Sequence, residues 1–586
     1  MNAPLVSVVI PSYNYGRYIQ AAVDSVLTQD YPNLEVVVSD NASKDDTLQV
    51  LVAYAGDPRV RVHVNPRNIG LTPNINNGIT LARGEFVTML SADDFLLPGH
   101  TTRLVELAQA HPHAALVYGN AYFAEETGVP HSLRNVYGQV AAGYAGGRNE
   151  FAWLFMTCYM CLPTILFRKA VLERYGLFDA TLDIASDWEI CMRLAHGGEQ
   201  FAYTPVPVAA VRQHAAQRSA AAYTHSGDEL RESLEIGERY ATPENAPRYR
   251  GFEHRMRLLV GDRLARLRET NPDLAVELEP RGQAFAQRLD QMRAQRSPIS
   301  EPRVSVIVTS SGRIVSLRRA LGSLLAQSYA NWEAIVVQDA GADVETFLRM
   351  LPSASRVRFA RTYDRFGPAS AHETGCILAS GDLVAFLDED DEFEPAHLES
   401  LVTVIRDGRS AASAATRLVC DEYFYSTLYA RPIAHSDEAL PDRPTLRDLE
   451  VAACMPLGCV LFSRELLDDT MVFRGRYGVL AEWEMMLRTL GPSNWATSGV
   501  RTFVEHVAVG LSRQELAAAF GTYPKALRTV YDAHPPCDDG VAEARRAHAA
   551  SLESVFARDP ASFVTPADLV GLYAHLAGRS VVAVSA

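Results

Sequence analysis

The chain returns to its own pattern after about three hundred residues. VSVVI at Val6 recurs as VSVIV at Val304, and SVLTQDYPNLEVVV from Ser25 recurs as SLLAQSYANWEAIV from Ser323, both 298 positions on. Leu81-Ala82-Arg83-Gly84 and Leu378-Ala379-Ser380-Gly381 stand 297 apart, as do Asp93 and Asp390. Trp188 and Trp483 are 295 apart, and His214 and His506 are 292 apart. An offset that shrinks slowly is what small loop deletions leave behind. The chain is a diverged duplication, and each copy must build its own core.

Both copies alternate strand-like and helix-like stretches. VSVVI is a continuous β-branched run, as expected of a parallel strand covered on both faces. Tyr18, Ile19, Ala22, Val26 and Leu27 follow at helical spacing. Residues 34–38 read as the next strand, closed by the turn Asp40-Asn41-Ala42-Ser43; Thr47 to Tyr54 reads as helix, and 60–64 and 86–90 as strands. This alternation predicts an α/β fold with a right-handed, doubly wound sheet and a ligand site at the carboxyl ends of its strands. Two tandem Rossmann-like domains, 1–225 and 301–512, are expected, each a mostly parallel sheet flanked by helices. A helical connector, 226–300, joins them, and a mainly helical region, 513–586, follows.

Length and composition narrow the function. At 586 residues the chain exceeds a single core. A formal charge of −15 speaks against a nucleic-acid partner, which needs a basic face. No apolar run reaches the ~18 residues of a membrane helix, and MNAPLVSVVIPSYN lacks a basic region before its apolar stretch. Eight scattered cysteines fit a reducing compartment, and the CxxC of Cys158 and Cys161, between apolar neighbours, reads as core. A cytoplasmic protein is expected. In the connector, Phe252, Met256, Leu259, Val260, Leu264 and Leu267 share one helical face opposite Arg255, Arg257, Arg263, Arg266 and Arg268. That pattern fits a helix packed on its own domain or one lying at the inner face of a membrane, so peripheral membrane association is an expectation too.

The chemistry-bearing residues gather at strand ends. FVTMLSADDF and LVAFLDEDDEF each drive an apolar run into carboxylates, which suits a hard divalent cation such as Mg²⁺ or Mn²⁺ held together with diphosphate oxygens. Asp40 ends a strand and can accept from a nucleobase N–H. Asp187, beside Trp188, is placed for general base duty, and His214 and Arg218 could meet phosphate charge. The first turn carries no phosphate-cradling GxGxxG or GxxxxGK loop.

Five motifs in order, VSVVIPSYN, QDYPNLEVVVSDNASKDDT, NPRNIGL, LARGEFVTMLSADD and SDWEICMRLA, resemble glycosyltransferase family 2, the inverting, metal-dependent enzymes of the GT-A fold. The resemblance covers about 5–220 and, less closely, 303–512. It implies transfer of a sugar from a nucleotide-diphosphate donor, expected to be a UDP-sugar, to a glycan or lipid-linked glycan acceptor, with Mn²⁺ or Mg²⁺ as cofactor. Carried over, it makes Pro11, Tyr13, Asp40 and Arg67 donor contacts, Asp93 a metal ligand with His214 nearby, and Asp187 the base. The usual Asp-x-Asp begins here with Ser91. In the second copy PSYN has become TSSG, Gln338-Asp339 stands where Asp40-Asn41 stands in the first, and Asp388-Glu389-Asp390 is a complete acid motif. Asp339, Asp388 and Asp390 are then donor or metal contacts, Glu482 the base and His506 a metal neighbour. A bifunctional enzyme of surface polysaccharide assembly is expected. The alternatives are one active first domain with a pseudo-enzyme second, or a sugar nucleotidyltransferase, whose Gly-rich first loop is missing.

Overall fold

A computed structural model describes residues 3–134, 150–156, 158, 160–214, 227–246, 248, 253–294, 301–339, 344–350, 356–361, 368–424, 429–436, 443–453, 455–470, 480–509 and 513–556. The chain divides into two units, Met1–Ser297 and Pro298–Ala586.

Among its described residues the first unit has nine strands: β1 (Val6–Ser12), β2 (Leu34–Asp40), β3 (Val60–Val64), β4 (Phe86–Met89), β5 (Phe95–Leu96), β6 (Ala114–Ala124), β7 (Pro130–Arg134), β8 (Ile165–Arg168) and β9 (Gln200–Arg212). They lie in the order β3-β2-β1-β4-β8-β6-β9-β5, with β7 on β6. The second unit repeats this order strand for strand with β10 (Val304–Ser310), β11 (Trp332–Gln338), β12 (Val357–Arg361), β13 (Leu383–Asp388), β14 (Glu392–Phe393), β15 (Ala411–Phe424), β16 (Tyr429–Ser436), β17 (Val460–Ser463) and β18 (Trp495–Val509). The expected parallel sheet holds for β3-β2-β1-β4, while β8 and β5 run antiparallel to their neighbours and make the sheet mixed.

The central strands are hydrophobic because both faces are covered. Val6, Val8, Val9 and Ile10 are fully buried, as are Val304, Val306, Ile307 and Val308. At the opposite strand ends from the acids, each unit closes the same buried polar knot. Ser7 donates to Glu35 at 2.6 Å and Ser305 to Glu333 at 2.7 Å, and each glutamate also accepts a backbone N–H, from Arg83 or Ser380. These acids are structural: paired and hydrogen-bonded, they resolve the cost of burial.

Helices of the expected connector and of the C-terminal region pack on the unit they follow. Residues 226–297 belong to the first unit and 513–586 to the second. Tyr240, on the helix Asp228–Tyr240, donates to Glu189 at 3.3 Å, and His534, after the helix Arg513–Ala533, meets Glu484 at 3.2 Å. Tyr240 and His534 are 294 positions apart, as the repeat requires, so the duplication includes the helix after the last strand. On the helix Glu253–Thr270, Met256, Val260, Leu264 and Leu267 are buried, and Arg263 is paired with Glu229 at 2.7 Å. These four residues of the stripe are core, as in a helix packed on its own domain, while Leu259 is half-buried and Phe252 lies outside the described residues.

Candidate active site

Two loops at the carboxyl ends of β1 and β2 interlock to form one wall of the first site. Asn14 donates its backbone N–H to Ser43 Oγ at 2.9 Å, and Lys44 N–H donates to Asn14 Oδ1 at 2.8 Å. Gly16 N–H donates to Asp45 at 2.9 Å. A Cβ on Gly16 would fall 1.8 Å from Asp46 Oδ1 and 2.9 Å from the Thr47 backbone nitrogen, so a larger residue would push the two loops apart. Asn14 and Ala42 both sit at positive φ, 61° and 62°, backbone strain of the kind concentrated at binding loops.

These loops border a cleft of about 880 Å³ that also takes in Asn41, Asn68, Asn74, Ser91, Asp93, Asp94 and His214. Pro11 and Tyr13 line it as the sequence implied. Asp40 does not: it is buried and accepts from Ser43 N–H at 2.9 Å and Ser43 Oγ at 2.5 Å, so it shapes the loop while Asn41 lines the cleft. Arg67 is exposed and outside the lining. Arg218 lies outside the described residues.

At the cleft floor the chain brings together two groups 121 positions apart. His214 Nε2 lies 3.1 Å from Asp93 Oδ2, with both side chains nearly inaccessible. Among the described residues the buried His214 Nδ1 has no hydrogen-bond partner. Behind them Arg212 donates its N–H to Asp94 at 2.9 Å and its Nε to the Asp93 carbonyl at 2.8 Å. Burial, and then the Asp93 charge, push the Asp94 carboxyl well above its ordinary range. The Asp93 carboxylate is the oxygen donor that a hard Mn²⁺ or Mg²⁺ ion takes, and the adjacent His214 imidazole suits Mn²⁺ better than Mg²⁺, so the pair fits the implied cation best as Mn²⁺.

Asp187 lies in the first turn of the helix Ser186–His196 and accepts the Trp188 N–H at 2.7 Å. The turn is held from two sides. Thr72, next to the cleft-lining Leu71, donates to the Leu182 carbonyl at 2.7 Å and lies 3.1 Å from Ser186 Oγ. The N–H groups of Asp183, Ile184 and Ala185 converge on the Glu232 carboxylate at 2.8, 2.9 and 2.6 Å.

The second site keeps its acids but gives them different neighbours. Arg313 Nη2 sits 2.8 Å from Asp390 and its Nε 2.8 Å from Glu389. Glu389 also accepts from Ser310 and Ser311 hydroxyls, both at 2.6 Å. His372 lies between the other two acids, Nε2 3.3 Å from Asp388 and Nδ1 3.5 Å from Glu482. Desolvation pushes the Glu482 carboxyl up to about 7 against the opposing pull of His372, although a third of its side chain stays accessible. Sheet register puts Gln338 opposite Ser310, as Asp40 lies opposite Ser12, so Gln338 takes the place of Asp40 and Asp339 that of Asn41.

One sequence pairing shifts by two residues. His506 lies opposite Val419 on β15, where the first unit has Arg212 opposite Ala124 on β6. Glu392↔Val504 and Phe95↔Ala210 give the same alignment. His506 is therefore the counterpart of Arg212, and the position of His214 is taken by Ala508. Sequence reasoning missed Arg212, Glu232, Arg313 and His372. The last two had a signal, since they stand where the first copy has Tyr15 and Ile75.

Known proteins place the chain. A relative from Rickettsia bellii, called an uncharacterized glycosyltransferase, is 24% identical over 400 residues, covering 68% of this chain and 54% of its own. The chain therefore spans about half the length of that relative. GalNAc(5)-diNAcBac-PP-undecaprenol beta-1,3-glucosyltransferase of Campylobacter jejuni is 37% identical over 125 residues, 21% of this chain and 40% of that one. Among solved structures, S. aureus TarS 1–349 in complex with UDP aligns at 19% identity and a TM-score of 0.36, over 49% of this chain and 80% of that one. The pattern of glycosyl transferase family 2 matches residues 7–176 and 305–470, one stretch in each unit. More than half of the chain carries that pattern, and the chain belongs to glycosyltransferase family 2.

Proposed function

We propose that the first unit transfers a sugar, with inversion, from a nucleotide-diphosphate donor to a hydroxyl of a glycan or lipid-linked glycan during surface polysaccharide assembly. The observation that carries this reading is the Asp93–His214 pair at the floor of the cleft lined by Pro11, Tyr13 and Asn41. In it the nucleoside, UDP being the expected carrier, lies against Pro11, Tyr13 and Asn41. Asp93 and His214 would hold the divalent cation, which would supply positive charge for the diphosphate leaving group. Asp187 takes the acceptor hydroxyl proton as that oxygen bonds to the anomeric carbon and the bond to the diphosphate oxygen breaks. The PP-undecaprenol acceptor in the Campylobacter jejuni relative's name supports a lipid-linked acceptor. No described helix is long and apolar enough to cross a membrane, and action at the cytoplasmic membrane face is part of the proposal.

A second reading, bifunctional transfer, is favoured by the survival of Asp388, Asp390 and Glu482 in the second unit. The pairing of each of these acids with His372 or Arg313 favours instead one active unit beside a non-catalytic one. The test is a screen of nucleotide sugars with and without Mn²⁺, on wild type and Asp93→Ala. Mn²⁺-dependent donor consumption that Asp93→Ala removes supports the reading. Consumption indifferent to both would reject it.

A further inference from the structure

We propose that the second unit takes no divalent cation, because Arg313 occupies the charge position of the metal at its acid motif. The inference rests on the reading of Asp93 as a metal ligand in the first unit, since Asp390 is the repeat counterpart of Asp93.

Arg313 spans two neighbouring acids, with Nη2 on Asp390 and Nε on Glu389, both at 2.8 Å. A guanidinium cannot lose its proton in the ordinary pH range, so this positive charge is permanent. Each of the two carboxylates receives one charge-assisted hydrogen bond from the guanidinium. The fork is anchored from below: Arg313 gives its own backbone N–H to Glu389 at 3.2 Å, and Glu389, 2% exposed, is fixed by Ser310 and Ser311. In the first unit the place of Glu389 is Ala92 and that of Arg313 is Tyr15, both lining the open cleft.

The other donors of this site, His372, Asp388 and Glu482, hold their ligand atoms within 4.8 Å of one another, but the imidazole already lies between the two carboxylates. Asp388 accepts from Thr309 Oγ1 and faces His372. His372 is itself shared with Glu482, and its ring packs edge-on against Phe386 at a centroid distance of 5.2 Å. The imidazole that meets Asp93 in the first unit has no counterpart, because sheet register leaves Ala508 at the place of His214. A cation approaching Asp390 would meet a fixed like charge and one carboxylate already neutralised.

The experiment counts Mn²⁺ bound per full-length chain in the presence of UDP, by electron paramagnetic resonance of free Mn²⁺. Wild type is expected to bind one and Asp93→Ala none. Arg313→Tyr, which installs the first unit's residue, is expected to bind two, and adding Asp390→Ala to it to return the count to one. Thermal unfolding confirms that each variant folds, and Arg313→Gln replaces Arg313→Tyr should that chain not fold. A wild-type site lost on Asp390→Ala, or on His372→Ala, overturns the proposal. So does an Arg313 variant that gains no site. A count unchanged by Asp93→Ala would instead reject the first unit's metal assignment, and the Asp390 and Arg313 arms would still decide this one.

Discussion

At equivalent strand ends the first unit sets Asp93 against a histidine and the second sets Asp390 against an arginine. The scaffold around them is the same: strand order, buried glutamate knot and the helix after the last strand all repeat. Even the tryptophans repeat, Trp188 giving its indole N–H to the Leu154 carbonyl and Trp483 to that of Leu449. Packing has been kept in both copies while the cleft chemistry has parted. Fold and site are thus separately maintained, and conserved acids alone do not identify a working centre.

The largest expected effect breaks the comparison at the cleft floor. Asp93→Ala should lower Mn²⁺-supported transfer by about 1000-fold, since a metal supplies several kcal/mol of charge stabilisation. Initial rates at saturating donor measure it, and a loss under tenfold would remove Asp93 from the metal site.

Next, Asp187→Asn should lower kcat by roughly 100-fold, with nucleotide affinity by calorimetry near wild type. Glu482→Gln, analysed by mass spectrometry of acceptor products, sharpens the comparison. Loss of a second sugar only in that variant would establish two centres. Unchanged products would leave the second unit without a catalytic role.

A smaller effect is expected from Glu232→Ala, which frees the three N–H groups that fix the turn before Asp187. About tenfold in kcat is expected with little change in KM, because a base displaced by a fraction of an ångström loses alignment. Glu232→Gln keeps an acceptor and should recover part of it. A change confined to KM would place Glu232 in binding instead.

A separate effect, on stability rather than turnover, concerns what the units share. Burial holds His100 down at about 4 and His397 at about 3, against an ordinary value near 6.5. Both are neutral when folded and take up a proton on unfolding. Their stability contribution is therefore complete above pH 6.5 and is lost as pH falls toward 4. Linkage gives on the order of 3 kcal/mol for each. Denaturant titration between pH 7 and 4.5 should show this fall, and His100→Gln should flatten it for the first unit alone. An unchanged slope would refute the assignment.

The sequence made the duplication, the strand run and the strand-end acids legible because each is a local pattern: a β-branched run, a helical spacing, an acid after an apolar stretch. His214 was legible as a group able to meet phosphate charge, but its place beside Asp93 came only through the family motif, since 121 residues separate them. Arg313 reaches Glu389 across 76 residues and Glu232 reaches Asp183 across 49, and no local spacing encodes such pairings. His506 shows the same limit from the other side. A shared residue type drew it into alignment with His214, whereas the hydrogen-bond register of β18 pairs it with Arg212. The post-strand helices diverged so far that only Tyr240 and His534, each on its buried glutamate, reveal them as repeats.

The central claim is that one metal-dependent centre lies in the first unit. Its most direct test is the Mn²⁺ dependence of donor turnover in Asp390→Ala, set beside Asp93→Ala. The account predicts a wild-type curve for Asp390→Ala and a flat background for Asp93→Ala. A flattened curve for Asp390→Ala, with Asp93→Ala responding as wild type, would contradict it.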